Sequence, residues 1–128
     1  MEYKYRLIVR FNECDMYGHV NHAVYLNYLE CARLEMMKSR GISVEELAAR
    51  GYRLFIVHIA IRYKNSALFN DELEISTSPI SVKKIGGKFK QIITAGDQVI
   101  VEAEVQWACI DNNGRPVCMP EELLKLLI

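Results

Sequence analysis

The chain has 128 residues, of which 51% are hydrophobic and 25% charged, an ordinary globular composition whose length is most simply one domain covering residues 1–128. Sixteen basic and sixteen acidic side chains cancel, which argues against a general nucleic-acid binder but leaves room for a local phosphate site. The N-terminal M-E-Y-K-Y-R lacks the apolar segment of a signal peptide, no run reaches the roughly 20 residues of a membrane span, and the four cysteines form no C-x-x-C pair. A cytoplasmic chain with reduced thiols and no membrane or nucleic-acid partner is therefore expected.

Residues 3–11 read as a first strand. Asn21 precedes a long run of good helix formers and reads as an N-cap, so a helix is predicted over residues 21–40, with Gly41 as its left-handed stop. At about 100° per residue, Asn27, Glu30, Glu35 and Lys38 share an arc of about 140°, and Arg33 and Arg40 fall outside it. Most of the remaining helix surface is apolar, which predicts burial on more than one side. Ser43-Val44-Glu45-Glu46 is an S-x-x-E capping box that opens a short helix to Arg50, ended by Gly51. Further strands are predicted at 52–63, 73–82, 88–95 and 98–110, with Pro79 marking an edge or a bulge. Gly86-Gly87 and Gly96-Asp97 read as two-residue turns, residues 111–114 as another turn, and residues 120–127 as a short amphipathic helix. One strand, two helices and four strands joined largely by hairpins make an α+β domain, with the long helix packed on an antiparallel sheet.

The stretch from Arg10 to Glu35 carries the chemistry: R-F-N-E-C-D-M-Y-G-H-V-N-H-A-V-Y-L-N-Y-L-E-C-A-R-L-E. If Asn21 caps the helix, the backbone N–H groups of His22, Ala23 and Val24 have no helical acceptor. The Asn21 side chain can take one of them. The others can face a ligand oxygen in the positive field of the helix start. Asp15, His19 and His22 share this stretch, so a carboxylate and donors for an oxyanion come together. Taken by position alone, Asp15 is equally an ordinary Asx-turn residue at a strand end.

The pattern D-x-x-G-H-V-N-H-x-x-Y, followed by a helix with A-R-L-E, resembles the 4-hydroxybenzoyl-CoA thioesterase-like branch of the hotdog-fold acyl-CoA thioesterases. The similarity covers nearly the whole chain in length and element order. It implies the hotdog fold, a long central helix wrapped by a five-stranded antiparallel sheet. It implies hydrolysis of an acyl-CoA thioester, with Asp15 as the catalytic carboxylate and His22 at the helix-start position whose N–H polarises the thioester carbonyl. It also implies two sheets paired edge to edge, as a homodimer or homotetramer with sites between subunits. No cofactor or metal is called for, since coenzyme A is part of the substrate.

Other side chains carry two readings each. His19 is a loop histidine or a pocket wall, and H-x-x-H plus Asp15 lacks the further ligands a metal needs. His58 interrupts an apolar strand, on the face expected to hold Ile56 and Ala60, as a satisfied structural residue or a pocket group. Tyr25 is core or lines an acyl pocket. Lys83, Lys84 and Lys88, with Lys90, form a solvated hairpin tip, or hold the coenzyme A phosphates as the resemblance implies. The expected function is an acyl-CoA thioesterase. The alternatives are a non-catalytic acyl-CoA or acyl-carrier-protein binding module on the same fold, and a hotdog hydratase or dehydratase.

Overall fold

The computed structural model describes residues 2–128. Five strands, β1 (Tyr3–Ile8), β2 (Arg53–Tyr63), β3 (Glu72–Lys83), β4 (Gly86–Ala95) and β5 (Gln98–Ile110), form one antiparallel sheet in the order β1-β3-β4-β5-β2. Their side chains follow the two-residue period of a half-buried sheet. In β4, Gly87, Phe89, Gln91 and Ile93 are buried, while Lys88 and Lys90 are exposed. In β5, Ala103, Val105, Trp107 and Cys109 are buried opposite Glu104 and Gln106. Two of the expected hairpins form, β3–β4 and β4–β5. The successive strands β2 and β3 do not pair, because β2 crosses to the far edge beside β5.

Helix α1 (His22–Ser39) has 18 residues and is N-capped by Asn21, whose side chain accepts the Ala23 N–H at 2.9 Å. It is not a long central helix wrapped by the sheet. One side packs on the sheet through Tyr25, Tyr28, Leu29, Ala32, Met36 and Met37, and the other leaves Leu26 and Leu34 exposed. A five-stranded sheet offers this helix one face, so an apolar stripe remains outside. Helix α2 (Val44–Ala49) starts at Ser43, whose hydroxyl accepts the Glu46 N–H at 3.2 Å. The C-terminal helix is shorter than expected: α3 (Glu121–Leu124) runs into a single 3-10 turn, Lys125–Leu127.

The core has two apolar clusters along α1. One holds Val9, Val20, Tyr25, Leu29 and Ile93 near the helix start; the other holds Met36, Phe89, Trp107 and Leu127 near its end. A buried polar layer lies between them. Arg33, which the helical wheel places off the polar arc, donates from Nη1 to Gln91 Oε1 at 3.0 Å. Gln91 Nε2 donates to the Leu29 carbonyl at 3.0 Å and to Thr77 Oγ1 at 2.9 Å. Burial draws the Arg33 pKa below its usual value, and the nearby Glu30 charge partly restores it.

Two local expectations, the end of the first strand and the Gly86-Gly87 turn, are corrected, and of the two readings of Pro79 the bulge is the one that forms. Strand β1 ends at Ile8, not at residue 11, because Phe11–Glu13 coil into a 3-10 turn in which the Arg10 N–H meets Glu13 Oε1 at 2.8 Å. Pro79 lies in β3, inside the sheet, and a register shift between Pro79 and Ser81 absorbs it as a bulge. The chain reverses at Lys84-Ile85, and Gly86-Gly87 belong to β4. What these two glycines supply is space. A Cβ on Gly86 would lie 2.6 Å from the Trp107 carbonyl oxygen, and one on Gly87 would meet the Ser81 carbonyl and stand 2.9 Å from Trp107 Cζ2. Gly87→Ala is therefore expected to destabilise the fold by about 3 kcal/mol, lowering Tm by on the order of 10 °C in a calorimetric melt. A wild-type Tm in that variant would show that Trp107 and β3 repack at no cost.

Candidate active site

After β1 the chain builds a small hairpin of its own. Cys14 and Val20 form an antiparallel bridge, and His19 bridges Leu68 beyond β2. At its tip, the Asp15 N–H donates to the His19 carbonyl at 2.8 Å and the Gly18 N–H to the Asp15 carbonyl at 3.0 Å. Gly18 turns the chain with φ +79°, a conformation that costs glycine little. Asp15 Oδ1 accepts the Tyr17 N–H at 2.9 Å and the His19 N–H at 3.4 Å. Asp15 is thus an Asx-turn residue in fact. Those bonds fix its carboxylate through one oxygen, and among the described residues the other oxygen has no hydrogen-bond partner.

The helix start offers less than the sequence suggests. Of the expected donors, the Ala23 N–H is taken by Asn21 Oδ1 and the Val24 N–H reaches the Asn21 carbonyl at 2.9 Å. Ala23 is therefore not an available oxyanion donor: the side chain that caps the helix consumes it. The His22 N–H has no partner among the described residues. Its carbonyl accepts the Tyr63 hydroxyl at 3.0 Å, so the end of β2 pins the first helical residue.

Asp15, His19 and His22 are brought together in this corner, with the histidines exposed. Tyr25 lies beneath them in the core, its ring against Tyr28 and Tyr63 and its hydroxyl accepting the Ala67 N–H at 3.0 Å. Burial raises the Tyr25 pKa, and the Ala67 bond lowers it in part. Cys14, next to the carboxylate, is held as a thiol, because burial and then the charges of Asp15, Glu13 and Asp71 raise its pKa.

His58 and the lysines lie elsewhere. A bulge in β2 between Ile56 and His58 breaks the alternation: Ile56 pairs with buried Trp107, but His58 pairs with exposed Gln106. His58 therefore shares a face with Ala60 and not with Ile56, because one extra residue inverts the faces of all that follow. Lys83, Lys84 and Lys88 are exposed at the Trp107 end of the sheet, where Lys83 and Lys88 rim a cleft of about 300 Å³ with Ser81, Ile85 and Gln106. Lys88 and Ile93, whose cluster receives the Asp15 loop, are about 17 Å apart along β4 at roughly 3.3 Å per residue. Lys88 also points away from α1. One chain does not bring its lysine hairpin to its own Asp15.

Two features were missed by sequence reasoning. Phe11, Met16, Tyr17, Leu68 and Phe69 form an exposed apolar rim beside Asp15, with the Phe11 and Phe69 rings edge to face at 5.6 Å. Clusters of aromatic and Met residues flanking the carboxylate were its only local signal. Glu13 is the other. Its Oε1 accepts the Tyr28 hydroxyl at 2.9 Å, and its carbonyl accepts the Asn21 N–H at 2.9 Å.

Residues 9–127 match the model of the thioesterase-like superfamily. The chain belongs to that superfamily. Membership places it among enzymes that hydrolyse thioesters. It is 32% identical over 105 residues to the long-chain acyl-CoA thioesterase FadM of Escherichia coli, covering 80% of this chain and 79% of that one. It is 28% identical over 124 residues to the acyl-CoA thioester hydrolase YbgC of Escherichia coli, covering 95% and 92%. Among solved structures, a hypothetical protein of Aquifex aeolicus superposes with TM-score 0.93 at 26% identity, covering 98% of this chain and 99% of the other. The 1,4-dihydroxy-2-naphthoyl-CoA thioesterase Slr0204 of Synechocystis superposes at 0.91 with 17% identity, over 99% and 96%, a likeness of fold. The superfamily's hotdog architecture accounts for the five-stranded antiparallel sheet with α1 on one face. Among the described residues, no helix is long and apolar enough to cross a membrane.

Proposed function

We propose that this thioesterase-like chain is an acyl-CoA thioesterase, releasing a carboxylic acid and the coenzyme A thiol from an acyl-CoA and water. The supporting observation is the pairing of two unsatisfied groups in one braced corner: one oxygen of the Asp15 carboxylate and the His22 N–H at the positive end of α1. Asp15 takes the proton of the attacking water, or attacks the thioester carbon itself to form an acyl-aspartyl anhydride that a water then hydrolyses to the free acid and the Asp15 carboxylate. The carbonyl oxygen gains negative charge against the His22 N–H. Collapse breaks the C–S bond, and the thiolate leaves to be protonated. These residues require no cofactor or metal for that sequence. The apolar rim of Phe11, Met16 and Tyr17 offers an acyl group a surface beside the carboxylate. The deciding assay is release of free thiol across a panel of acyl-CoA esters. Binding without thiol release would instead identify an acyl-CoA or acyl-carrier-protein binding module, and hydration of a 2-enoyl thioester with the thioester intact would identify a hydratase.

The same reading takes the working form to be a homodimer or homotetramer. β2 is an edge strand of 11 residues that leaves Phe55 and Val57 exposed, an invitation to pair with a second copy. A partner's lysine hairpin can then reach a site that a chain's own cannot. Changing Lys83, Lys84 and Lys88 together to Ala is expected to raise KM for acyl-CoA about tenfold and to flatten its salt dependence, with kcat held. Light scattering at micromolar concentration is expected to show no monomer. A monomer, or an unchanged KM, would remove the hairpin from the site.

A further inference from the structure

Glu13 is a second carboxylate two residues from Asp15, and its side chain is already committed. Glu13 Oε1 accepts the Tyr28 hydroxyl at 2.9 Å and the Arg10 N–H at 2.8 Å. Its backbone carbonyl accepts the Asn21 N–H at 2.9 Å, and Asn21 caps α1 directly before His22. Tyr28 is buried on α1, six residues and about 9 Å of helix rise beyond His22. The chain from Glu13 thus runs two residues forward to the Asp15 carboxylate, while Glu13 itself grips α1 at two points, the cap and the second turn.

We infer that Glu13 and Tyr28 are positioning residues whose hydrogen bond sets the spacing between the Asp15 carboxylate and the His22 N–H. The inference rests on the thioesterase reading of those two groups. Its physical basis is that acyl transfer needs base and oxyanion donor on opposite sides of one carbonyl, and a small misplacement costs rate even where binding is kept. Among the described residues, no other side-chain hydrogen bond ties the Asp15 hairpin to the second turn of α1. Burial, reinforced by Glu13, holds the Tyr28 phenol well above its ordinary pKa, so it remains a donor throughout the working pH range.

Tyr28→Phe removes one hydroxyl and keeps the ring. It is expected to lower kcat about tenfold, with KM within a factor of two and the pH profile of kcat unshifted. Glu13→Ala should show the same loss. Glu13→Gln keeps an accepting Oε1 for Tyr28 and Arg10 and should rescue most of it. Full kcat in Tyr28→Phe overturns the inference, as does a loss confined to KM, which would mark general loosening. Should Tyr28→Phe not fold, Glu13→Ala against Glu13→Gln carries the same comparison. A Glu13→Gln variant as inactive as Asp15→Asn also overturns it, since Glu13 would then act through its charge. Asp15→Asn is assayed in parallel. If it is silent while Tyr28→Phe runs at full rate, only the positioning role fails. If it retains turnover, the reading of Asp15 fails first.

Discussion

Asp15→Asn should lower kcat by on the order of 10²-fold or more, the loss typical of removing a general base, while KM and Tm stay near wild type. The structure makes this substitution informative. Asparagine keeps an Oδ1 that can accept the Tyr17 and His19 N–H groups, so the hairpin from Cys14 to Val20 retains its tip. What is lost is the anion; the neutral amide that replaces it can neither take a proton from water nor attack a carbonyl. Asp15→Ala would remove the turn bonds as well and mix two effects. Binding of a non-hydrolysable acyl-CoA analogue to the Asn variant should match wild type. If that variant keeps more than about a third of wild-type kcat, no general-base loss is present and Asp15 serves only its turn.

What the sequence made legible is what local chemistry decides. The caps at Asn21 and Ser43 form as their side chains dictate. The grouping of Asp15, His19 and His22 is legible for the same reason, since seven residues and one turn separate its ends. Placement that depends on a distant partner is not legible. β2 reads as a strand from its own residues, but its position beside β5 is decided by distant pairing, from Tyr63 with Val101 to Arg53 with Ile110. The face of His58 is decided by one extra residue at the bulge, which no alternation in the strand itself announces. The glycines at 86 and 87 look like a turn until the Trp107 side chain and carbonyl are found against them. Glu13 and Tyr28 look like a loop acid and a core ring, because the bond that joins them spans fifteen positions.

The second large effect isolates the helix start. His22 is the first helical residue after the cap, a position where proline is well accommodated because the missing N–H has no helical acceptor. Asn21, at φ −61° and ψ 138°, already has the extended backbone that a residue before proline adopts. His22→Pro therefore keeps the Asn21–Ala23 cap and the carbonyl that receives the Tyr63 hydroxyl. It deletes the imidazole and one N–H. With the oxyanion donor gone, kcat should fall by about 10²- to 10³-fold, with helix content by circular dichroism unchanged. His22→Ala deletes the imidazole alone. Its loss should stay well short of the ~10²-fold that an imidazole acting as general acid or base would give. Equal losses in the two variants would assign the function to the ring, and full turnover in His22→Pro would place the oxyanion donor elsewhere. A deep loss in the proline variant alone can come only from the N–H, because the cap, the helix and the Tyr63 contact survive in both.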